Sequence, residues 1–308
     1  MTVVFAAVWP VFLLIVGGSV LRRLVVHDEV YWSRVEWLVY YVLFPVLFAV
    51  TLARADFASV PAGGVGIALG IGVLIMSAIC LAIRPVLAAF LGTDGPAFTS
   101  VFQGATRWQT SVALAVAATL FGDAGLALGA VGVVAMTPLL NVMNVWVLAR
   151  YATPHAPGWK RVALAIAKNP FILGCGVGMS INVLDIPIPQ AVYDVATALG
   201  RIALFLGVLT VGAGLRLAAL APLRTVTWVT TALKLVIMPA TAIGLGAALG
   251  MRGTNLAVIA CCASVPSTSS AYVLARQMGG DAPLMAEIIT VQTLFAVVTM
   301  PIAIALAS

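Results

Sequence analysis

Two short polar stretches interrupt long apolar runs of this chain, and their residue types suit the binding of a small anion. The first stretch is "QTS" at 109–111 and the second is "PSTS" at 266–269. Pro266 lacks an N–H and its ring obstructs the carbonyl four residues earlier, so a helix opens there. A half-helix that restarts near Ser267 presents free N–H groups and a partial positive charge, which attract anions. A silent proline kink, with the hydroxyls bonded back to carbonyls, is the alternative. The candidate ligands in the two stretches are Gln109, Thr110, Ser111, Pro266, Ser267, Thr268 and Ser269.

Further polar residues lie within or beside the apolar runs, where a charge is expensive and is by default a functional hypothesis. Arg107 precedes the first stretch and could bind a carboxylate, pair with an acid or reach the membrane interface. Lys234 and Glu287 are candidates for ion coupling; a structural tether for Lys234 and an interfacial position for Glu287 are the alternatives. Asn141 and Gln292 could contact a ligand or hold helices together by hydrogen bonds.

Other chemistries find little support. The four cysteines all fall in apolar segments without C-x-x-C spacing, which favours buried apolar side chains over disulfides or metal ligands. His27 and His155 lie in loops without a second ligand at helical spacing, so we predict no metal site. No strand precedes a glycine cluster, so a phosphate loop or dinucleotide fingerprint is not credible and no cofactor is predicted. Basic runs interleaved with aromatic residues are lacking, which sets nucleic acid aside.

The composition predicts the kind of helices that carry these residues. Hydrophobic residues make up 63% of the 308 residues and charged residues only 8%, whereas soluble domains carry about 25% charged residues. Lipid must therefore solvate much of the surface, and we predict an all-α polytopic membrane protein. About ten apolar windows approach the roughly 20 residues needed to cross a bilayer. They lie at 3–21, 35–53, 62–82, 97–121, 124–149, 166–184, 190–214, 224–249, 254–277 and 283–306.

The loops between these windows predict an orientation. Most of the 16 Lys and Arg residues fall in alternate loops on one side, and only Arg54 and Arg252 fall on the other. Cytoplasmic loops carry the excess of positive charge, so we expect both termini outside the cytoplasm, in a protein of the cell (inner) membrane. The first window is followed by Arg22 and Arg23 in place of a small-residue cleavage site, which indicates a membrane helix rather than a signal peptide.

The two halves of the chain resemble each other. A shift of 158 residues sets "WQTSVALAVAATLFGDAGL" from Trp108 against "PSTSSAYVLARQMGGDAPL" from Pro266. A shift of 160 sets "WPVFLLIVGG" from Trp9 against "NPFILGCGVG" from Asn169. Because five helices are an odd number, the second copy must be inverted in the membrane. We therefore predict two inverted five-helix repeats, 1–152 and 153–308, whose fourth and ninth helices bring their polar breaks together near the midplane.

Several of these stretches resemble the auxin efflux carrier family of secondary transporters, which includes the plant PIN carriers and bacterial dicarboxylate carriers. The matching stretches are "FQGATRWQTSVALAVAATLFG" from Phe102, "PLLNVMNVWVLA" from Pro138, "KNPFILGCGVG" from Lys168, "ALKLVIMPA" from Ala232 and "PSTSSAYVLARQMGGDAPLMAEIITVQTLFAVVTMP" from Pro266. The resemblance implies ten helices, broken fourth and ninth helices that cross, and a scaffold part opposed to a transport part. Two residues depart from the family pattern and would reshape the pocket. The family commonly has Asn at the position of Gln109, and Pro or Gly at the position of Trp108.

The function implied is that of a secondary transporter of small organic anions, which are carboxylates of the auxin or dicarboxylate kind. Alternating access at the crossing would move the substrate, driven by its gradient, by the membrane potential or by a proton. A sodium-coupled symporter of the bile-acid-transporter type is the alternative, and a homodimer is a further expectation from the family. An intramembrane enzyme finds no support, because no nucleophile–base pair and no pair of embedded acids at catalytic spacing is present.

Overall fold

The computed structural model describes residues 2–55, 62–152, 160, 164, 167–220 and 222–308, and within them all regular structure is helical. We number eleven helices in chain order. They are α1 (Thr2–Leu24), α2 (Glu29–Ala53), α3 (Ala62–Leu91), α4 (Gly95–Thr106), α5 (Thr110–Tyr151), α6 (Pro170–Val183), α7 (Gln190–Gly214), α8 (Thr225–Ala248), α9 (Thr254–Ser264), α10 (Ser269–Gln277) and α11 (Ala282–Ala307).

Seven helices of the described chain are long and apolar enough to cross a membrane, or eight if α9 and α10 form one bent span. The prediction of an all-α polytopic membrane protein is therefore confirmed. The count of ten spans stays a prediction. It requires that α4 and α5, which together form one 57-residue apolar stretch, contribute two spans, and that the 14-residue α6 contributes another.

Gly122 is the position at which α5 divides. Its backbone has φ 59° and ψ −144°, a left-handed conformation inside an otherwise helical run. Only glycine adopts such a conformation readily, because it has no Cβ. The predicted fourth span ends at 121 and the predicted fifth begins at 124, so the apolar windows stop on either side of this kink.

Two of the helices contain a π-helical turn close to a proline. A π-helical turn at Val39–Leu43 lies directly before Pro45 in α2, and a second one at Leu233–Ile237 lies directly before Pro239 in α8. A proline ring collides with the carbonyl four residues earlier, and a turn with one more residue relieves that collision while the helix continues. Both helices thus remain single elements from end to end.

The helices pack in two groups. In one group α1 packs on α7, and α2 packs on α6 and α7; in the other, α3, α4, α5, α8, α9, α10 and α11 pack on one another. Helices α5 and α11 also contact helices of the first group. The first group is tightly joined, because a Cβ at Gly174 or Gly178 of α6 would collide with the backbone of Pro45 or Ala49 in α2. Small residues four apart allow membrane helices to approach this closely. Each group draws on both halves of the chain, and the assignment of the halves as repeats stays a prediction.

All four cysteines are free and buried, as their apolar surroundings predict. They are Cys80, Cys175, Cys261 and Cys262. His155 and most of the loop between Arg150 and Arg161 lie outside the described residues.

Candidate functional site

Two breaks in the helices meet inside the second helix group. The first break, residues 107–109, separates α4 from α5, and the second, residues 265–268, separates α9 from α10. The N–H of Gln109 donates a hydrogen bond to the carbonyl of Pro266 over 2.9 Å, so the breaks are in direct backbone contact. The helices restart at Thr110 and Ser269, which is within one residue of the 158-residue shift found in the sequence.

Gln292 of α11 joins the two breaks from behind. Its Oε1 accepts the N–H of Ser267 at 2.9 Å, and its Nε2 donates to the carbonyl of Gly104 at 3.0 Å. The hydroxyl of Ser267 donates to the carbonyl of Gln103 at 3.4 Å. Gln292 is fully buried and Ser267 is 1% exposed. These side chains satisfy backbone groups that the breaks release, which is what an apolar interior requires.

The first residues of both restarting helices line one space. Gln109 is the N-cap residue of α5 and Thr268 is the N-cap residue of α10. Within the described chain, neither side chain forms a capping hydrogen bond with its helix. The first N–H groups of a helix have no intrahelical partner, and together with the helix dipole they form a region of partial positive charge. Both helix ends therefore bring partial positive charge to the same space.

A cavity of about 660 Å³ lies against these helix ends. Pockets for small molecules commonly measure about 300–1,000 Å³, so this one has the size for a small organic ligand. Seven residues predicted from the sequence line it: Arg107, Gln109, Thr110, Ser111, Asn141, Thr268 and Ser269. The first helix group supplies another part of the wall, with Tyr40, Phe44, Asn169, Phe171 and Thr210.

Arg107 is the cation nearest the breaks. Its Nη1 donates to the hydroxyl of Ser270 over 3.3 Å, while its buried Nε has no partner among the described residues. The facing wall carries a Tyr40 hydroxyl that accepts a hydrogen bond from Asn169 at 3.3 Å. The Oδ1 of Asn169 in turn caps α6 by accepting the N–H of Phe171. A guanidinium with free donors beside two helix N-termini can hold a carboxylate by charge-assisted hydrogen bonds.

The cavity reaches the surface at one end of the molecule, where its lining contains exposed charged side chains. Glu29 at the start of α2 lies 2.7 Å from Arg22 and 3.8 Å from Arg216. The Arg216 guanidinium lies 4.4 Å from the ring centre of Tyr272 on α10, so it connects the two helix groups. This end carries the positively charged loops that we predict to be cytoplasmic.

Five predicted site residues lie outside this lining. Pro266, Ser267 and Gln292 belong to the joint between the breaks. Glu287 of α11 is buried against the start of α8, and its Oε1 accepts the N–H of Arg224 and the hydroxyl of Thr227, both at 2.6 Å. Lys234 is fully buried in α8, and its Nζ has no hydrogen-bond partner among the described residues. Their roles in ion coupling stay predictions.

Sequence reasoning missed several residues of the cavity wall. Glu36 lies within the apolar span of α2, and an acid in such a span is a signal that could have been used. Tyr40 and Asn169 carried no such signal, because their importance arises only from the packing of α2 beside α6. Arg22 and Arg216 were assigned to loops, and the structure brings both to the cavity mouth.

The fold and the site together define a helical membrane protein with a ligand-sized cavity that both helix groups line, in part with polar side chains. Residues 159–304 match the family described as "Membrane transport protein", the family that contains the auxin efflux carriers. The matched region is just under half of the chain and includes the second break. The match indicates a membrane transport protein, and it agrees with the resemblance seen in the sequence. A search of curated proteins gives no significant match.

Proposed function

We propose that the protein is a secondary transporter that moves small organic anions across the membrane. The observation that carries the proposal is the meeting of two uncapped helix N-termini and the Arg107 guanidinium at a single cavity. Each of these three groups attracts negative charge, and the partly enclosed surroundings of the cavity strengthen that attraction. A carboxylate is the substrate group that fits this arrangement best.

The ionisable residues of the cavity support the same sign of substrate. Four arginines line it and only two carboxylates, so the lining has an excess of positive charge that raises the local concentration of anions. The arginines are Arg22, Arg107, Arg216 and Arg276, and the carboxylates are Glu29 and Glu36. We assign the hydrogen bonds to the substrate to the first turns of α5 and α10, with the side chains of Gln109, Thr110, Ser111, Thr268, Ser269 and Asn141 as further donors.

Transport would proceed by alternating access. Residues of both helix groups line the cavity, and a relative movement of these groups would expose it at the opposite end. Coupling to an ion at Glu287 or Lys234 belongs to this proposal, as does the alternative in which sodium drives uptake. Exchange of sodium for potassium separates that alternative, since only a sodium symporter would lose its uptake.

The test is carboxylate uptake into proteoliposomes that contain the purified protein. Benzoate and malate serve as an aromatic monocarboxylate and a dicarboxylate. Arg107→Gln should lower uptake at least about tenfold, because a charge-assisted hydrogen bond contributes about 1.5–3 kcal/mol. Arg252→Gln is the matched control, since Arg252 is exposed and distant from the cavity lining. Equal uptake by Arg107→Gln and the control would refute Arg107 as a substrate ligand, and no uptake of any carboxylate by the wild type would refute the anion function.

A further inference from the structure

Two acids of the described chain line the cavity, Glu29 and Glu36, and they differ in whether the carboxylate is paired. Glu36 lies on α2 one helical turn before Tyr40, so both side chains lie on the same face of the helix. Its carboxylate forms no ion pair or hydrogen bond with the residues that the structure describes. Glu29, the other cavity acid, is held between Arg22 and Arg216. Glu36 therefore places a solvent-accessible carboxylate without a partner on the wall of the cavity that a substrate would enter.

The position of Glu36 relative to the anion site follows from the helix. One turn rises about 5.4 Å, and the Tyr40 side chain lines the same cavity as Arg107. Glu36 thus lies between the exposed mouth and the breaks. The titratable groups that share its cavity are Arg22 on α1, Glu29, Tyr40 and Tyr41 on α2 itself, Arg107 at the first break, Arg216 after α7, and Tyr272 and Arg276 on α10.

We propose that Glu36 is a proton-binding site linked to anion binding, so that the cavity takes up a proton at Glu36 when an organic anion occupies the site near Arg107. The inference rests on the proposed function. An ionised Glu36 repels a bound carboxylate across the cavity, and protonation removes that repulsion. The proton comes from water at the cavity mouth, and it returns there when the anion leaves in the same direction.

Linkage makes the effect reciprocal. If a proton on Glu36 strengthens anion binding by some factor, a bound anion strengthens proton binding by the same factor. Two unit charges about 10 Å apart in a partly solvated protein interior interact strongly enough to change an affinity roughly tenfold. Anion affinity should therefore rise up to about tenfold from neutral to acidic buffer, until Glu36 is fully protonated.

Titration calorimetry on the purified full-length protein tests this. Benzoate and malate are the probes, and each titration is repeated in two buffers of different ionisation enthalpy, which counts the protons taken up with the ligand. The wild type should take up protons in mildly acidic buffer, where its affinity for the anion is rising. Glu36→Gln should take up none in the same buffer, bind roughly tenfold more tightly than the wild type in neutral buffer, and show no dependence of affinity on pH.

Glu29→Gln is the matched control, because Glu29 lies on the same helix and the same cavity but is paired with Arg22. It should keep the proton uptake of the wild type. Equal melting temperatures of ligand-free wild type and Glu36→Gln establish that the variant is folded.

Three outcomes would overturn the inference. Binding without proton uptake in the wild type, or with unchanged uptake in Glu36→Gln, refutes it and leaves the anion function standing. If the wild type binds phenylalanine but neither benzoate nor malate, and Glu36→Gln loses that binding, then Glu36 binds an ammonium group of the substrate instead of a proton. Absence of binding by any carboxylate at any pH refutes the anion function, and the linkage falls with it.

Discussion

Replacement of Gln292 by Met should destabilise the protein and disable transport, although Gln292 does not line the cavity. Met has nearly the same length and removes both polar groups of the side chain. The N–H of Ser267 and the carbonyl of Gly104 would then lose partners that lie at 2.9 and 3.0 Å, in a fully buried place. An apolar interior offers these two backbone groups no other hydrogen-bond partner, so both would stay unsatisfied.

The magnitude follows from these two bonds. A buried group without a partner costs about 1–3 kcal/mol, so two such groups set an upper value of about 6 kcal/mol. Hydrogen bonds between membrane helices average only about 0.6 kcal/mol, so two of them set a lower value of about 1.2 kcal/mol. Even the lower value is a noticeable fraction of a folding free energy of about 5–15 kcal/mol.

Thermal unfolding in detergent and carboxylate uptake together form the assay. Gln292→Met should melt at a clearly lower temperature than the wild type, and Gln292→Glu should lie between them because its carboxyl still accepts the N–H of Ser267. Gln190→Met is the control, since Gln190 is exposed at the start of α7 and its hydrogen bonds compete with water. If Gln292→Met melted no lower than Gln190→Met and transported normally, Gln292 would not hold the breaks together.

Substitutions at two more residues distinguish structural charges from coupling charges. Glu287→Ala should lower the melting temperature, since the N–H of Arg224 and the hydroxyl of Thr227 would lose their acceptor at about 1–3 kcal/mol each. Glu287→Gln should keep transport and its pH dependence, and loss of that dependence would make Glu287 a coupling group instead. Lys234→Met should raise the melting temperature, because burial of a cation without a partner is unfavourable. Uptake measured on the same preparation decides its role: normal uptake contradicts ion coupling at Lys234, and lost uptake in a stabilised protein supports it.

The helices could be predicted closely from the sequence, because apolar length alone decides what crosses a bilayer. The predicted span 190–214 coincides with α7, and the breaks fall where Pro266 and the paired polar stretches indicated. The largest error is at the end of α3, which runs to Leu91 and not to 82. Arg84 suggested an end there, yet its guanidinium lies 4.4 Å from the ring centre of Tyr151, which accommodates the charge within the helix.

The site could be predicted only in part, because a sequence does not tell which face of a broken helix meets a cavity. Gln109 and Ser267 are aligned by the 158-residue shift of the sequence. The structure gives them different surroundings: Gln109 lines the cavity, and Ser267 is enclosed between Gln103 and Gln292. The facing wall was beyond prediction, since Tyr40 and Asn169 are neighbours only through the close contact of α2 with α6.

This division of the polar residues bears on how access could alternate. The hydrogen bond from Gln109 to Pro266 and the two bonds of Gln292 tie the breaks to each other and to α11. A movement that separated the breaks would expose all these backbone groups to an apolar interior, which is costly. The contacts between the helix groups at the cavity mouth are different, since Arg216 meets Glu29 and Tyr272 where water can replace them. We therefore expect the two breaks to move as one unit with the second helix group, and the mouth contacts to yield first.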